Sequence, residues 1–242
     1  MLLDCGDLIR RTGTKRSLTW GGMVVPLYVE RGEQAMSTAE DTAGGETQAW
    51  GEVTPDAARR LLIAAVEAFA ERGYHATTTR DIAGRAGMSP AALYIHYKTK
   101  EELLHRISRI GHAKALEILR TAARREGTAT ERLADAVGSF VRWHAGGRTT
   151  ARVVQYELDS LGPDARAEIL DLRRQCDAEV RAIIEDGVAS GEFDVLDVKG
   201  TTLAVMSLCI DVARWFNVDG PWTPDEVGAL DADLVLRMVG AK

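Results

Sequence analysis

The sequence has few cysteines, and they are not spaced as disulfide partners or as metal ligands. Cys5, Cys176 and Cys209 are spread over 242 residues, and no two of them form a C-x-x-C pair. A disulfide framework needs an even set of cysteines, and a structural zinc module needs close pairs. The sequence therefore excludes a disulfide scaffold and disfavours a zinc module.

Long apolar runs are also missing. No uninterrupted apolar stretch reaches the roughly 18 to 20 residues that span a bilayer. The segment 18–29 is broken by two glycines and a proline, and no small-residue cleavage site of a secretory signal follows it. With 45% apolar and 27% charged residues, the composition is typical of a globular chain. We expect a soluble cytoplasmic protein.

The signatures of common enzyme classes are absent as well. The sequence contains no G-x-S-x-G, no P-loop, no G-x-G-x-x-G after a strand and no H-E-x-x-H. Four histidines lie in one basic segment, but their spacings fit no metal site on a single helix face; they are His75, His96, His105 and His112. The sequence therefore predicts no catalytic residue, no cofactor and no metal site.

The first 53 residues differ from the rest of the chain. Residues 36–52 are small, acidic and nearly without aliphatic side chains, which is typical of a disordered tail. Met36 is placed like a translation start, and under this hypothesis residues 1–35 are upstream sequence. The alternative is a short appended strand around residues 23–29, where β-branched residues accompany a proline. We expect residues 1–53 to be a disordered or artefactual extension.

From residue 54 onward the pattern is helical. Thr54 is placed to cap a helix whose first residue is Pro55, and Asp56 follows where the helix dipole favours an acid. Gly73 provides the end of this helix. Between them, apolar residues recur at three- and four-residue spacing, at Leu62, Ala65, Val66 and Phe69. One buried stripe with two clear ends predicts a long first helix.

Three further helix starts follow in close succession. Their capping residues are Thr78, Ser89 and Thr99. Asp81 and Glu102 complete capping boxes for the first and the last of them, and a proline follows Ser89 at the first helical position. Correctly spaced caps over such short intervals predict a helix–turn–helix and a long helix after it.

The turn between the first two of these helices has the residues that a helix–turn–helix needs. Gly87 occupies the place where the turn requires a positive φ, because glycine adopts this conformation without strain. Ala83 lies where the two helices touch, and Leu93 lies where the second helix enters the core. The sequence pattern therefore favours a DNA-binding motif over an ordinary helical hairpin.

The distribution of charge supports this interpretation. The whole chain carries a formal charge of -6, so it has no general affinity for nucleic acid. Residues 56–116 contain ten Lys or Arg against six Asp or Glu, a local charge of +4, which leaves -10 for the rest. A basic end on an acidic body orients a protein on phosphate and keeps the remainder away from it.

Residues 57–116 resemble the N-terminal DNA-binding domain of the TetR family of bacterial one-component regulators. The matching stretch is LLIAAVEAFAERGYHATTTRDIAGRAGMSPAALYIHYKTKEELL. The resemblance implies an all-α fold, with a three-helix DNA-binding domain over residues 54–101. Residues 102–242 would form a helical ligand-binding and dimerisation domain. A homodimer of this kind places its recognition helices in successive major grooves, about 34–36 Å apart, on a palindromic operator.

The resemblance also places nine residues at the DNA. They are Thr79 and Arg80 in the first motif helix, Pro90, Ala91, Ala92, Tyr94, Ile95 and His96 in the second, and Lys100 at the start of the next. Arg80 is the candidate for a bidentate bond to guanine, worth about 1–3 kcal/mol of discrimination. Pro90 and Ala91 offer only apolar contacts, so DNA shape or half-site spacing is expected to carry part of the specificity.

Some of the other DNA-facing residues are not expected to read the base sequence. Tyr94, Thr79 and Lys100 are candidates for contacts to phosphate, which fix position without reading sequence. Two alternatives stay open at this point. Tyr94 would pack within the domain in one of them, and His96 would be a solvated histidine at a helix end in the other.

The C-terminal half has the pattern of five helices. They are expected at about 129–145, 149–161, 163–190, 198–217 and 224–239. The last two are apolar on most of their faces. Because an exposed apolar patch of that size does not stay unpartnered in a monomer, they are candidates for a four-helix dimer interface. The alternative is that they close the core of a monomer.

Polar residues on otherwise apolar helices mark a candidate effector pocket. They are Trp143, Arg152, Tyr156, Asp159, Arg173 and Arg214. Residues 156–193 and 210–227 are similar to regulators of fatty-acid or steroid catabolism that respond to acyl-CoA thioesters. Arginines would suit a CoA phosphate or a carboxylate, whereas the alternative is salt bridging along the helix surface.

The sequence therefore predicts a ligand-responsive transcriptional repressor that a small hydrophobic effector releases from DNA. Two other hypotheses stay open. One is a ligand-independent DNA-binding protein whose C-terminal domain only dimerises, and the other is a sensor of drug-like hydrophobic compounds. A ligand-sized cavity in the C-terminal domain would favour a sensor, and a solid domain would favour the ligand-independent protein.

Overall fold

The computed structural model describes residues 16–20, 23–27 and 50–242. The chain consists of two compact units, one up to Thr38 and one from Ala39 onward. In the described part of the chain, no helix combines the length and the apolar character that crossing a membrane requires.

The first unit contains a two-stranded antiparallel hairpin. Strand β1 is Arg16–Trp20 and strand β2 is Met23–Leu27, with Trp20 opposite Met23. Strand β2 overlaps the strand that was the alternative expectation for residues 23–29. The expectation of a disordered or artefactual extension over residues 1–53 stays a prediction. The hypothesis that residues 1–35 are upstream sequence stays a prediction, because most of the extension lies outside the described residues.

Nine α-helices and one 3₁₀ turn make up the second unit within residues 50–242. In chain order they are α1 Asp56–Arg72, α2 Thr79–Arg85, α3 Pro90–His96, α4 Lys100–Ala123, α5 Ala129–Gly146, α6 Arg148–Tyr156, the 3₁₀ turn Leu158–Ser160, α7 Pro163–Ala189, α8 Val198–Trp215 and α9 Pro224–Met238. The all-α prediction is confirmed for this unit, and the predicted helices agree closely with the observed ones.

Three local predictions need correction. Helix α1 begins at Asp56 after Pro55, without a side-chain cap, so Thr54 does not cap it. At α4 the Thr99 hydroxyl accepts from the Glu102 N–H as predicted, but the Glu102 carboxylate accepts from the backbone N–H of the residue before Thr99. The helix predicted over 149–161 ends at Tyr156, and the separate 3₁₀ turn follows it.

The helical domain also begins earlier than the sequence indicates. Trp50 is 3% exposed and Val53 is 8% exposed, and both pack in the core of the N-terminal helices. The predicted boundary after residue 53 therefore cuts through a packed segment. The sequence feature that could have indicated this earlier start is Trp50, a large aromatic residue at the end of an otherwise polar stretch.

Two buried clusters hold the second unit together. One lies among α1–α4 and also takes in Val154 from α6 and Ile169 from α7, so helices of the C-terminal half complete the core of the N-terminal one. The other lies among α4, α5, α7, α8 and α9. Helix α4 contributes to both clusters, with Leu104 in the first and Leu119 in the second.

Helices α5 and α9 approach each other at two glycines. A Cβ atom added at Gly228 would lie only 2.6 Å from the carbonyl oxygen of Gly138. This contact brings the two backbones close together.

Candidate functional site

The turn between α2 and α3 sets the direction in which α3 is presented. Gly87 has a φ of 67°, as the sequence predicted for this turn. The Arg60 guanidinium of α1 donates to the Ala86 carbonyl, which ties the turn to the first helix. Ile82 and Leu93, one from each motif helix, are completely buried beneath it. Helix α3 is therefore held rigidly with its other face outward.

The outward face of α3 is largely apolar. Pro90 and Ala91 are exposed, and Tyr94 and Ile95 are 45% and 74% exposed. Ala92 and His96 are half-buried at the edges of this face. Such side chains can make contacts with thymine methyl groups, but they cannot supply bidentate hydrogen bonds to bases.

Two of the predicted DNA-facing residues are joined to each other. The hydroxyl groups of Thr79 and Tyr94 are 3.0 Å apart, which links the start of α2 to the middle of α3. The guanidinium of Arg80 is exposed beside them and makes no hydrogen bond or ion pair with residues 50–242. It is therefore free to bind an external acceptor such as a guanine edge or a phosphate.

Lys100 is engaged inside the domain. Its Nζ atom donates to the carbonyls of Tyr74 and Thr77 at 2.6 and 2.8 Å, and it lies 4.1 Å from the centroid of the Tyr74 ring. A phosphate would have to compete with these acceptors for the ammonium group. Lys98, which the sequence argument did not single out, is exposed next to α3, with its Nζ 3.1 Å from the Tyr94 carbonyl.

A cavity of about 200 Å³ lies among α4, α5, α6, α7 and α8. Most of its wall is apolar, with Ala115, Phe140, Val154, Met206 and Ile210 among the lining residues. Exposed residues of α7 and α8 form its rim, namely Asp177, Leu203 and Ser207. Few polar groups set in an apolar wall are typical of a small-molecule site.

Two buried histidines supply part of the polar lining. Burial lowers the pKa of both His112 and His144 to about 4, so both imidazoles are neutral at pH 7. Nδ1 of His112 lies 2.8 Å from the Ser108 carbonyl, and Nδ1 of His144 lies 3.0 Å from the Phe140 carbonyl. Because a carbonyl only accepts, each Nδ1 carries the proton, and each Nε2 is left as an acceptor.

Arg173 brings a cation to the same wall. Its Nε donates to Nε2 of His112 at 3.0 Å, and its Nη2 donates to Oε1 of Gln155 at 3.0 Å. This chain of hydrogen bonds joins α4, α7 and α6. Burial lowers the pKa of Arg173, but a guanidinium remains charged at any physiological pH.

The structure brings only some of the predicted pocket residues together. Trp143 and Arg173 line the cavity. Arg152, Tyr156 and Arg214 lie in a neighbouring surface groove, which shares Gln155 and Ile210 with the cavity. Both oxygens of Asp211 accept from Arg214 at 2.7 Å. Asp159 lies on the surface in an ion pair with Arg166 and does not line the cavity.

Sequence reasoning missed His112, His144, Gln155 and Asp177 in the cavity wall. His112 was considered only as a metal ligand, and the other three were not singled out. Buried polar residues on a helix that also carries a core stripe are the feature that could have indicated them.

The C-terminal helices leave apolar side chains in solvent. On α8, Leu203 and Trp215 are 68% and 41% exposed. On α9, Leu230, Leu234 and Met238 are each about two-fifths exposed, at 41%, 39% and 44%. The apolar face of α8 and α9, meaning these five residues, is the type of surface that a partner covers.

A helix–turn–helix domain that shares one long helix with a cavity-containing helical domain has the architecture of a DNA-binding regulator. Residues 56–107 match the family model for bacterial regulatory proteins of the tetR family, and residues 126–239 match the model for the tetracyclin repressor-like C-terminal domain. The chain belongs to the TetR family. It is a transcriptional regulator and not an enzyme.

Known proteins similar to this chain agree with that assignment. A bacterial regulatory protein of the tetR family from Rhodococcus RHA1 shares 46% sequence identity and a TM-score of 0.74, over 78% of this chain and 100% of that one. The HTH-type transcriptional repressor KstR2 of Mycolicibacterium smegmatis is 31% identical over 73% of this chain and 87% of its own length. The fatty acid metabolism regulator protein of Bacillus subtilis is 29% identical over 58% of this chain and 73% of its own length.

Proposed function

We propose that this chain is a ligand-responsive transcriptional repressor that acts in the cytoplasm. It binds a palindromic operator as a homodimer and is released by a small hydrophobic effector. The observation that carries the proposal is the position of α4. This helix starts beside the helix–turn–helix at Lys100, and its residues Gly111, His112 and Ala115 line the cavity. A ligand in the cavity therefore contacts the same helix that supports α3.

On DNA, α3 enters the major groove and meets it with an apolar surface. Pro90, Ala91 and Ile95 contact thymine methyl groups, and Arg80 reaches a guanine. Thr79 and Tyr94 hold phosphates through their joined hydroxyl groups, with Ala92, His96 and Lys100 at the edge of the contact. Replacing Arg80 with Ala should cost about 1–3 kcal/mol at one base position, whereas an equal loss on every sequence would assign Arg80 to phosphate.

The homodimer forms through the apolar face of α8 and α9. Pairing two copies of this face across a two-fold axis makes a four-helix interface, which removes five large apolar side chains from water. The dimer then presents two α3 helices to one side of the DNA, as a palindromic operator requires.

The cavity and the relatives support a choice of effector class. The cavity wall is mostly apolar, and a curated relative is named as a regulator of fatty acid metabolism. The neighbouring groove carries Arg152 and Arg214, which suit the phosphates of a CoA thioester whose acyl part enters the cavity. Acyl-CoA thioesters of lipid or steroid catabolism are therefore the first compounds to test. Drug-like hydrophobic compounds are the second class.

Fluorescence anisotropy with DNA from upstream of the protein's own gene tests the proposal. Binding is measured at two salt concentrations, with and without a panel of acyl-CoA thioesters, and a transcription assay separates repression from activation. Release by one thioester at micromolar concentration supports the proposal. Tight binding that neither thioesters nor drug-like compounds disturb overturns the sensor function in favour of a ligand-independent DNA-binding protein.

A cavity-filling variant makes the test specific to the site. Ala115→Leu places a larger side chain in the cavity wall and should block release while operator binding persists. Ala182→Leu, on the exposed side of α7, is the matched control and should respond like the original chain. Equal release from both variants would show that the effector binds elsewhere.

A further inference from the structure

The cavity contains a positive charge without a matching negative one. Within residues 50–242, no carboxylate oxygen lies within 4 Å of the Arg173 guanidinium, although Arg173 is only partly exposed. Its close partners are an imidazole nitrogen, an amide oxygen and, at 3.5 Å, the carbonyl of Val154, all of which are uncharged. Buried or partly buried charges are normally paired. The guanidinium is therefore arranged to receive an anion.

Donor capacity remains for such an anion. Nε and Nη2 of Arg173 are engaged with His112, Gln155 and Val154, whereas Nη1 has no hydrogen-bond partner in the described part of the chain. Nη1 can donate a charge-assisted hydrogen bond to a carboxylate, which is stronger than its bond to an alcohol or a thioester carbonyl would be.

The nearest carboxylate along α7 does not take this role. Asp177 lies one turn from Arg173 at the rim of the cavity and is exposed. Although the residue is exposed, partial desolvation of its carboxyl group raises the pKa of Asp177. Two arginines oppose this effect, and Arg181 acts more strongly than Arg173. Asp177 thus offsets part of the charge on Arg173 without forming a hydrogen bond or an ion pair with it among the described residues.

A second polar group adds an acceptor to the cavity wall. His144 is 5% exposed and lines the cavity, and its Nε2 accepts no hydrogen bond from residues 50–242. This nitrogen is an acceptor that a ligand or a water molecule with a free donor can use. The cavity therefore combines a donor-rich cation with a separate acceptor in an apolar wall.

We propose that Arg173 is the counter-ion of a carboxylate on the effector, so that the cavity binds a small amphiphilic carboxylic acid. This inference rests on the sensor part of the proposed function, and it names a carboxylic acid, in place of the acyl chain of a thioester, as the group that the cavity binds. A cavity of about 200 Å³ is larger than the ~150 Å³ that accommodates benzene. An aliphatic chain of about six to eight carbons or one substituted ring fits this volume.

Hydrogen bonds and packing link Arg173 to the DNA-binding domain. Arg173 joins His112 of α4 to Gln155 of α6, and Val154 beside Gln155 packs in the N-terminal core. A carboxylate that draws the guanidinium toward the cavity replaces one of these bonds. Binding then favours a conformer with altered packing between α4 and α6, which is how a ligand shifts an equilibrium between two states.

Isothermal titration calorimetry on the full chain tests the inference with three probes, octanoate, 1-octanol and octanoyl-CoA. We expect octanoate to bind more tightly than 1-octanol. Arg173→Gln should weaken octanoate binding by about tenfold to a hundredfold, and Arg173→Lys should weaken it less. Arg174→Gln, the neighbouring exposed arginine that pairs with Asp171, is the matched control and should bind octanoate normally. Asp177→Asn should tighten octanoate binding.

The outcomes separate this inference from the proposed function. Equal octanoate affinity in Arg173→Gln and Arg174→Gln, or equal affinity of the original chain for 1-octanol and octanoate, overturns the inference. Release of operator DNA by octanoyl-CoA, without any octanoate binding, also overturns it but supports the proposed function. Octanoate binding that depends on Arg173 but never changes operator affinity supports the site and overturns the sensor function. The Lys and Asp177→Asn variants keep the test valid if Arg173→Gln does not fold.

Discussion

At the scale of single residues, Asp231 is a carboxylate in apolar surroundings. It lies on α9 and is 3% exposed, and its Oδ2 atom has no hydrogen-bond partner among the described residues. Burial raises its pKa to about 6, against about 3.9 for an exposed aspartate. The folded chain therefore holds a proton on Asp231 at pH values where the unfolded chain has lost it.

This shift makes a prediction about stability and pH. Because the folded pKa is the higher one, ionisation of Asp231 destabilises the fold as pH rises through about 6. Between pH 4.5 and 8, the free energy of unfolding of the original chain should fall by about 2 kcal/mol relative to Asp231→Asn. Urea unfolding at fixed protein concentration measures the difference. Asp233→Asn, an exposed carboxylate on the same helix, should show no such change.

Single residues also show where prediction from the sequence ends. Trp143 and Arg173 could be selected because they interrupt apolar helices, and both line the cavity. His112 and Gln155 could not, because their hydrogen bonds to Arg173 join residues 61 and 18 positions apart. Spacing within a helix reports only on neighbours three or four residues away. Residues from five helices that meet only in the folded cavity wall therefore cannot be identified from that spacing.

At the scale of elements, helix ends were predictable wherever the cap is local. Thr78 with Asp81 and Ser89 with the following proline define α2 and α3, although each helix has only seven residues. The end of α6 was not predictable, because a distant contact is made there. The Glu157 carboxylate accepts from the Tyr74 N–H at 3.0 Å, where the chain turns.

Two glycines in and beside α2 should respond in opposite ways to alanine. Gly87→Ala introduces a side chain at a φ of 67° and a Cβ atom 3.3 Å from Arg60, so it should destabilise the fold by about 1–2 kcal/mol. Gly84→Ala, inside the helix with open space around it, should stabilise the fold by about 0.5–1 kcal/mol. Thermal unfolding of both variants checks this. A stabilised Gly87→Ala would contradict our account of the turn.

At the scale of the whole molecule, the apolar face of α8 and α9 should control assembly. Leu234→Glu puts a charge in the middle of this face, so we expect a monomer at micromolar concentration and weak operator binding. Leu196→Glu is the control, because that leucine is fully exposed in the loop before α8. Light scattering after gel filtration measures the mass. A persistent dimer of Leu234→Glu would place the interface elsewhere.

The length of α4 has a geometrical consequence for such a dimer. From His112 at the cavity to Lys100 beside the motif, the helix rises about 18 Å at 1.5 Å per residue. Tilting it by about 10° about the cavity end would move the motif end by about 3 Å. In two symmetric protomers, opposite movements would change the separation of the recognition helices by about 6 Å, close to two base-pair rises. A small angular change at the cavity is thus enough to lose register with two major grooves.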